Sequence, residues 1–329
     1  MQLFSPIVNT FHSLHTSLFE AVVQPLLFWL GLAGHIEWAF GATFWFLIGV
    51  IEIALLWIVV GTAQRIWPAE PVTDKATIRT DLIYTLLHRL GGFTLLVYAL
   101  TQPLFDQIQG AMSSAGFAPF HLERLVPGLT DIAWVSFALY FLLFDFIEYW
   151  IHRAQHSWHW WWQLHSLHHS QRQMTVWSDN RNHLLDDLLR DVVFVCIAMM
   201  IGAAPSQFIT WVVLSRALQS LQHANLKLRF GGLTERLIVS PSFHRLHHAI
   251  GVGHQGRLDG CNFGVVLSCW DVLFRSANWR PGFVATGVSD QLAGVHYGTG
   301  FWQQQWFGLK RLKTALLGAS KRRSQDSLS

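Results

Sequence analysis

Long apolar stretches separated by short polar segments make up most of the chain. Residues 43–64 carry a single charged side chain, Glu52, and are long enough to cross a bilayer as one helix. Residues 81–102 and 130–151 are apolar segments of similar length, so the pattern predicts three transmembrane helices. Residues 1–42 are also apolar but are interrupted by proline and glycine, which favours an interfacial or shallow membrane segment. The predicted fold is an all-α integral membrane protein.

The composition agrees with this prediction. Of the 329 residues, 51% are hydrophobic and 13% are charged, whereas a soluble domain has about 25% charged residues. The net charge of +3 is too small to indicate a nucleic-acid partner. The three cysteines form no C-x-x-C pair, so they predict neither a zinc–cysteine site nor a disulfide framework.

Histidine is unusually frequent, with 18 residues, and three clusters stand out. They are His152 and His156 (H-x-x-x-H), then His165, His168 and His169 (H-x-x-H-H), and His244, His247 and His248 (a second H-x-x-H-H). Residues three or four positions apart share one face of a helix, so each cluster directs several imidazoles the same way. Neutral imidazole suits iron, zinc and copper. These eight histidines are too many for one ion and predict a site for two.

The spacing of the three clusters resembles that of the sterol desaturase / fatty acid hydroxylase superfamily. The segment SPSFHRLHHAI, residues 240–250, resembles the stretch around the third histidine cluster of that family. The segment DGCNFGVVLSCWDVLF, residues 259–274, resembles the part that follows, with Phe263 where tyrosine is common. The elements LQHANL at 221–226 and RNH at 181–183 resemble two further histidine elements of the family.

The resemblance covers roughly residues 130–275, and within the superfamily it is closest to bacterial members and to alkylglycerol monooxygenase. It implies a membrane enzyme with a histidine-rich site for two iron ions and with O2 as co-substrate. Its metal ligands would be the eight clustered histidines, completed by His183 and His223, which match additional histidines of the family. A lone histidine is more often a hydrogen-bonded structural group, so that alternative stays open for these two.

Four polar residues are candidates for supporting the metal ligands. Asp145 and Glu148 continue the three-to-four-residue spacing of the first histidine cluster along the third predicted helix. They either pack helices as a buried polar stripe or orient a ligand imidazole. Asp259 and Asn262 either cap a helix or position the third cluster, and the family context favours the second role.

The basic residues predict the orientation in the membrane. The loop 65–80 carries three Lys or Arg and the loop 103–129 carries one, so the positive-inside rule places the first loop in the cytoplasm. The histidine clusters then follow the third helix on the cytoplasmic side, as does the basic tail 276–329. Clusters that share one site must lie on one side of the membrane. The apolar stretch 192–218 is therefore predicted to be a re-entrant helical hairpin that turns near Pro205.

The predicted organisation has four segments. They are the apolar N-terminal segment 1–42, transmembrane helices in 43–151, a catalytic region 152–275 that forms a cytosolic helical cap, and a basic cytosolic tail 276–329. The predicted function is an oxygenase that hydroxylates or desaturates a C–H bond of a lipid. Fatty acyl, ether, sterol- or hopanoid-like and aminolipid substrates all remain open. The expected location is a bacterial inner membrane, with the site on the cytoplasmic face.

The electrons for such a reaction have to come from outside the chain. The sequence contains no dinucleotide-binding fingerprint, no fused cytochrome signature and no cysteine cluster for an iron–sulfur centre, which predicts a ferredoxin, cytochrome or reductase as partner. One alternative is a membrane haem- or metal-binding electron-transfer protein, which the position of the clusters beyond the predicted spans disfavours. Another is a zinc hydrolase, which normally has three protein ligands and often an H-E-x-x-H motif.

Overall fold

The computed structural model describes residues 5–118, 120–251 and 260–326, and this part of the chain is helical. Its described residues contain no β-strand, only two isolated bridges that pair Pro68 with Leu226 and Ala249 with Thr286. The predicted all-α class is confirmed.

Fourteen α-helices follow one another along the described chain. They are α1 (Ser5–Leu18), α2 (Gln24–Trp29), α3 (Ile36–Leu55), α4 (Gly61–Ile66), α5 (Lys75–Arg89), α6 (Gly92–Ser114), α7 (Ala133–Ser157), α8 (His159–His169), α9 (Leu184–Met200), α10 (Pro205–His223), α11 (Gly232–Glu235), α12 (Pro241–His247), α13 (Cys269–Leu273) and α14 (Phe301–Asp326). Short π-helical turns, Phe19–Val23 and Leu56–Val60, join α1 to α2 and α3 to α4.

Two helical stretches of the described chain are long and apolar enough to cross a membrane by length and composition, Ala33–Ile66 and Ala133–Ser157. The first comprises α3 and α4 and the second is α7. On the first stretch Trp57 and Val59 are 54% and 60% exposed, with no part of the described chain covering them. Large apolar side chains exposed in this way are typical of a helix that faces lipid.

The second predicted span, residues 81–102, is not one helix. Gly91 adopts a left-handed conformation with φ 85°, which ends α5 and separates it from α6. Two charged side chains of α5 also point into the protein, where Arg89 donates to Glu52 at 2.8 Å and Asp81 accepts from Arg181 at 2.5 Å. These buried ion pairs hold α5 against its neighbours, which the count of apolar residues did not reveal.

The stretch 192–218 forms parts of two helices, α9 and α10, that turn at residues 201–204. Pro205 occupies the first turn of α10, where a missing backbone N–H costs nothing. Phe194 of α9 and Trp211 of α10 stack at 5.0 Å and pack against Phe144 of α7. The chain thus leaves the region of the histidine clusters along α9 and returns to it along α10. The insertion of this hairpin into a membrane stays a prediction.

The C-terminal segment, expected from its charge to be a tail, folds back onto the helices that carry the histidines. Arg311 of α14 donates to Gln163 of α8 at 3.1 Å, and Phe307 packs beside the buried Trp162. Gly308 lies so close to His183 that a Cβ atom at this position would overlap the imidazole ring. In the described residues, α14 therefore covers α8 rather than extending away from it.

Candidate metal centre

Eight buried histidines form two groups of four. Group A consists of His152, His156, His169 and His247, and group B consists of His168, His223, His244 and His248. Within each group, one ring nitrogen from every residue lies within 4.8 Å of the others. The two groups draw their residues from α7, α8, α10 and the region of α12, so four parts of the chain meet here.

In group B the Nε2 atoms converge. His168 and His223 have their Nε2 atoms 3.1 Å apart, and those of His223 and His244 are also 3.1 Å apart. The Nε2 atoms of His244 and His248 are 3.2 Å apart. Two nitrogens bound to one ion at about 2.1 Å lie about 3.0–3.4 Å apart for ordinary coordination angles. The spacing therefore fits a single ion held by four imidazoles.

Consecutive histidines serve different groups. His168 belongs to group B and His169 to group A, while His247 belongs to group A and His248 to group B. Successive residues on a helix point about 100° apart, so an H-H pair can face two neighbouring centres. The rings of His169 and His248 stack with centroids 4.2 Å apart, which brings the two groups into direct contact. This arrangement explains why two of the sequence clusters end in H-H.

Backbone carbonyls of one loop orient two imidazoles of group A. His152 Nδ1 donates to the Phe263 carbonyl and His247 Nδ1 donates to the Cys261 carbonyl, both at 2.8 Å. Donation from Nδ1 places the lone pair on Nε2, the atom left to bind a metal. Asn262, between the two carbonyls, has φ 58° and donates its side-chain amide to the Phe243 carbonyl at 2.9 Å. Asn262 thus positions group A, the role that the family context favours.

His165 lies between the two groups and belongs to neither. Its ring centroid is 5.0 Å from that of His156 and 5.4 Å from that of His168. His165 Nδ1 donates to Asp186 at 2.9 Å, and its Nε2 is buried without a hydrogen-bond partner in the described chain. Burial would raise the pKa of the Asp186 carboxyl, but the neighbouring His165 and hydrogen bonds from Gln155 and Trp161 hold it below its usual value.

A second carboxylate supports group B. His223 Nδ1 donates to the Gln219 carbonyl at 2.8 Å and lies 3.3 Å from Asp179. Asp179 in turn accepts from Arg89 at 3.0 Å and from the Ser220 hydroxyl at 2.7 Å. The ring of His223 is therefore fixed by contacts that reach α5 and, through Arg89, the first long apolar helix.

His183 is not brought to either group. Its Nε2 donates to the Gln305 carbonyl at 2.8 Å, and its Nδ1 accepts from the Leu185 backbone N–H at 3.1 Å. Both ring nitrogens thus serve the fold, as the N-cap of α9 and as an anchor for α14. Of the two additional histidines singled out by the sequence, His223 lies in a group and His183 does not.

The two carboxylates of α7 do not contact any clustered histidine. Asp145 accepts from the Val266 and Leu267 backbone N–H groups at 2.9 and 3.0 Å and from Trp270 Nε1 at 2.8 Å. Glu148 pairs with Arg190 of α9 at 3.1 Å. Of the two roles that the sequence left open for them, these contacts favour packing over orientation of an imidazole: Asp145 anchors the loop beyond the third cluster and Glu148 pairs α7 with α9. Asp259 lies outside the described residues.

The electrostatic environment keeps the imidazoles neutral. Burial, reinforced by neighbouring histidines such as His223, lowers the pKa of His168 and of His244 well below the usual value. A neutral imidazole can give its lone pair to a metal, whereas a protonated one cannot. Buried, neutral nitrogen donors fit iron, zinc or copper and do not fit the oxygen-seeking ions calcium and magnesium. The residues present therefore fit two transition-metal ions.

Comparison with known protein families adds to this geometry. Residues 137–276 match the fatty acid hydroxylase family. This segment, 140 of the 329 residues, is similar to fatty acid hydroxylase domains. It contains all eight residues of groups A and B together with His165, whereas α1–α6 and α14 lie outside it.

Curated proteins that are similar to this chain act on lipids according to their names. Ornithine lipid hydroxylase OlsE of Rhizobium tropici is 27% identical over 249 residues, which cover 71% of this chain and 69% of the relative. Alkylglycerol monooxygenase of Danio rerio is 29% identical over 147 residues, and that of Caenorhabditis elegans is 31% identical over 146 residues. The chain spans only 30% and 26% of the length of these two monooxygenases. No solved structure matches the chain.

Proposed function

We propose that the protein is a membrane-bound di-iron hydroxylase that uses O2 to insert oxygen into a C–H bond of a lipid. The observation that carries this proposal is the pair of adjacent four-histidine groups inside a segment that is similar to fatty acid hydroxylase domains. One group would suffice for a single structural ion, whereas two in direct contact favour chemistry shared between two metals.

Each residue of the centre has a defined task in this proposal. Groups A and B would each hold one iron, and His165 would complete the shell from its place between them. Bound iron would supply O2 activation and the removal of hydrogen from an unactivated C–H bond. The chain supplies neutral ligands with fixed tautomers, through the Cys261 and Phe263 carbonyls and the Asp186 and Asp179 carboxylates. It also excludes bulk water, since both groups are buried.

Other metal chemistry accounts for the centre less well. A zinc hydrolase usually has three protein ligands and an open fourth position, and it has no use for a second group of four imidazoles. Haem takes one or two axial ligands, and here the imidazoles crowd together with ring centroids as close as 4.2 Å. Iron is therefore the proposed metal, and zinc could replace it in overproduced protein because zinc binds such sites more tightly than ferrous iron.

The proposed substrate is a membrane lipid. Two helices of membrane-spanning length and apolar composition would hold the domain at the bilayer, and the named relatives are an ornithine lipid hydroxylase and alkylglycerol monooxygenases. These names favour hydroxylation over desaturation. An external donor, a ferredoxin, cytochrome or reductase, would deliver the electrons. The basic loop 65–80 favours the cytoplasmic face of a bacterial inner membrane as the position of the centre.

A comparison of lipid extracts tests this proposal. Cells that produce the wild-type chain, cells that lack it and cells that produce His247→Ala would be grown under ¹⁸O2 and their lipids analysed by mass spectrometry. We expect one lipid class to gain a single labelled oxygen only with the wild-type chain. Loss of two hydrogens instead would indicate a desaturase, and identical lipids in all three strains would refute the proposed reaction.

A further inference from the structure

A polar cavity opens beside the metal centre. It has a volume of about 380 Å³ and is lined by Arg153, Gly260, Cys261, Arg275, Ser276, Ala277, Asn278 and Trp279. None of these described lining residues is acidic, and two are arginines. The carbonyl of the lining residue Cys261 accepts the hydrogen bond from His247 of group A at 2.8 Å. A residue of the cavity wall therefore contacts a candidate metal ligand directly.

The two arginines are available to a ligand. No described carboxylate lies within ion-pair distance of Arg153 or Arg275. Arg153 donates once, to the Tyr149 hydroxyl at 3.0 Å, and its guanidinium lies 5.7 Å from the Phe263 ring centroid. A guanidinium carries five N–H donors, so most of those on Arg153 remain for another partner.

The backbone beside the cavity is unusual. Among the described residues other than glycine, only Asn262 and Arg275 have positive φ, at 58° and 57°. The Asn262 N–H donates to the Ser276 carbonyl at 3.0 Å, so both residues belong to one local structure. Asparagine adopts this conformation at little cost, but arginine does so rarely. The left-handed conformation of Arg275 closes the end of α13, since the Arg275 and Ser276 N–H groups donate to the Val272 and Asp271 carbonyls at 3.4 and 2.9 Å.

A buried carboxylate near the cavity, that of Asp271, has its oxygens engaged elsewhere. Asp271 accepts from the Phe263 and Gly264 backbone N–H groups at 2.8 and 2.7 Å and from the Ser276 hydroxyl at 2.6 Å. Its charge weakens the positive potential of Arg153 without forming an ion pair with it. The cavity is thus lined by two cationic side chains, Arg153 on α7 and Arg275 just after α13, and Asp271 holds the neighbouring Ser276 in place.

Apolar surface adjoins the arginines. Val272 and Leu273, just before Arg275, are 45% and 65% exposed. Arg153 is near the end of the apolar helix Ala133–Ser157, the level at which headgroups lie if this helix crosses a bilayer. Cationic and apolar surfaces side by side suit an amphiphile with an anionic head and a hydrocarbon chain.

We propose that Arg153 and Arg275 bind the anionic headgroup, a phosphate or carboxylate, of the lipid substrate beside the metal centre. This inference deepens the proposed function. It rests on that function only in calling the bound lipid a substrate; the binding of an anionic amphiphile does not depend on it. Guanidinium groups bind both anions through paired hydrogen bonds, so the chemistry that phosphate and carboxylate share defines the site.

Binding of simple amphiphiles to the full-length protein in neutral detergent tests the site. The probes are dodecyl phosphate, the neutral dodecyl ether of glycerol, and inorganic phosphate, each titrated calorimetrically against metal-loaded and metal-free protein. We expect dodecyl phosphate to bind at least about tenfold more tightly than either other probe, because charge and chain act together. Its affinity should be the same with and without metal.

The variants are Arg153→Gln with Arg275→Asn, and Arg275→Asn alone, since asparagine tolerates the left-handed backbone. Arg280→Gln, an exposed arginine outside the cavity, is the matched control. The double variant should bind dodecyl phosphate at least about tenfold more weakly and the neutral ether unchanged, while Arg280→Gln retains wild-type affinity. If the double variant loses thermal stability, Arg275→Asn alone is the test of the site. It should bind dodecyl phosphate more weakly than the wild type does, by a smaller factor than the double variant.

Three results would overturn the headgroup site: wild-type affinity in both variants, anion binding that disappears with the metal, or equal affinity for inorganic phosphate and dodecyl phosphate. The last would indicate a site for free anions. These measurements need no turnover, so failure of the proposed hydroxylation is a separate outcome. Where turnover is measured, the variants should raise KM and leave kcat largely unchanged.

Discussion

His165 donates its Nδ1–H to Asp186 at 2.9 Å at the point where the two histidine groups meet. Asp186 also accepts from Gln155 Nε2 at 2.8 Å and from Trp161 Nε1 at 2.7 Å, so α7, α8 and α9 are joined by one carboxylate. Its removal would release His165 from its orientation and leave two buried donors without an acceptor.

We therefore expect Asp186→Ala to lower metal affinity or turnover by about 10–100-fold, the usual effect of losing a partner that orients a metal ligand. Metal content per chain and turnover would be measured together. Asp187→Ala is the matched control, because Asp187 bonds His88 at 2.9 Å and not a clustered histidine. Equal metal content and turnover in the two variants would contradict the role assigned to Asp186.

Single substitutions in the two groups should remove ions one at a time. Wild-type protein purified under iron-replete conditions is expected to hold about two metal ions per chain, the number that two groups of four ligands predict. His247→Ala in group A and His248→Ala in group B should each leave about one, and each should abolish turnover. Elemental analysis of the purified chain measures the number.

His183→Ala separates ligation from folding. Both nitrogens of His183 are hydrogen bonded to backbone groups, so this variant should retain two ions and lose roughly 1–3 kcal/mol of stability. Thermal unfolding and metal content would be compared with those of His223→Ala. Loss of an ion from the His183→Ala variant would show that His183 is a metal ligand and would contradict the structural role assigned to it.

Metal uptake should tolerate mild acid. The lowered pKa values of His168 and His244 mean that these imidazoles stay neutral as the pH falls through 6.5, where ordinary histidines gain a proton. Apoprotein should therefore bind Co²⁺ at pH 6.0 nearly as tightly as at pH 7.5. Four ordinary imidazoles would instead lose affinity by about two orders of magnitude over this range, the result that would contradict the prediction.

The re-entrant hairpin predicts that residues on either side of it share one face of the membrane. Single cysteines at Arg172 and Leu233, both exposed, would be introduced into a background without native cysteines and labelled with a membrane-impermeant reagent. Both should react from the same side of the membrane, because a hairpin returns the chain to the side from which it entered. Labelling of the two sites from opposite sides would refute the hairpin.

The sequence indicated which histidines lie together, because their side chains share a local spacing. Helical periodicity placed the histidines of each cluster on one face, and the structure brings all eight together with His223. The sequence did not reveal which histidine serves which group, since that depends on how α8 and α12 cross. Helix geometry already points His168 and His169 in different directions, and tertiary packing decides which group each one joins.

Supporting contacts were harder to predict. From the sequence, Asp145 either packs helices or orients an imidazole. In the structure, Asp145 accepts from the Val266 and Leu267 N–H groups and Asp186 accepts from His165, and these partners are 21 to 122 residues away, so local spacing does not reveal them. The second predicted span failed for a related reason: Arg89 and Asp81 are neutralised by partners up to about a hundred residues away.

The position of α14 implies that the histidine groups are covered late during biosynthesis. Gln163 of α8 is separated by 148 residues from Arg311, which covers it, and the two can meet only after nearly the whole chain has left the ribosome. Until then, the outer side of the helix that carries His165, His168 and His169 stays open to the surroundings. Delivery of metal is easiest during this interval, before α14 docks, so a chain truncated ahead of α14 should exchange its metal far more readily than the full-length protein.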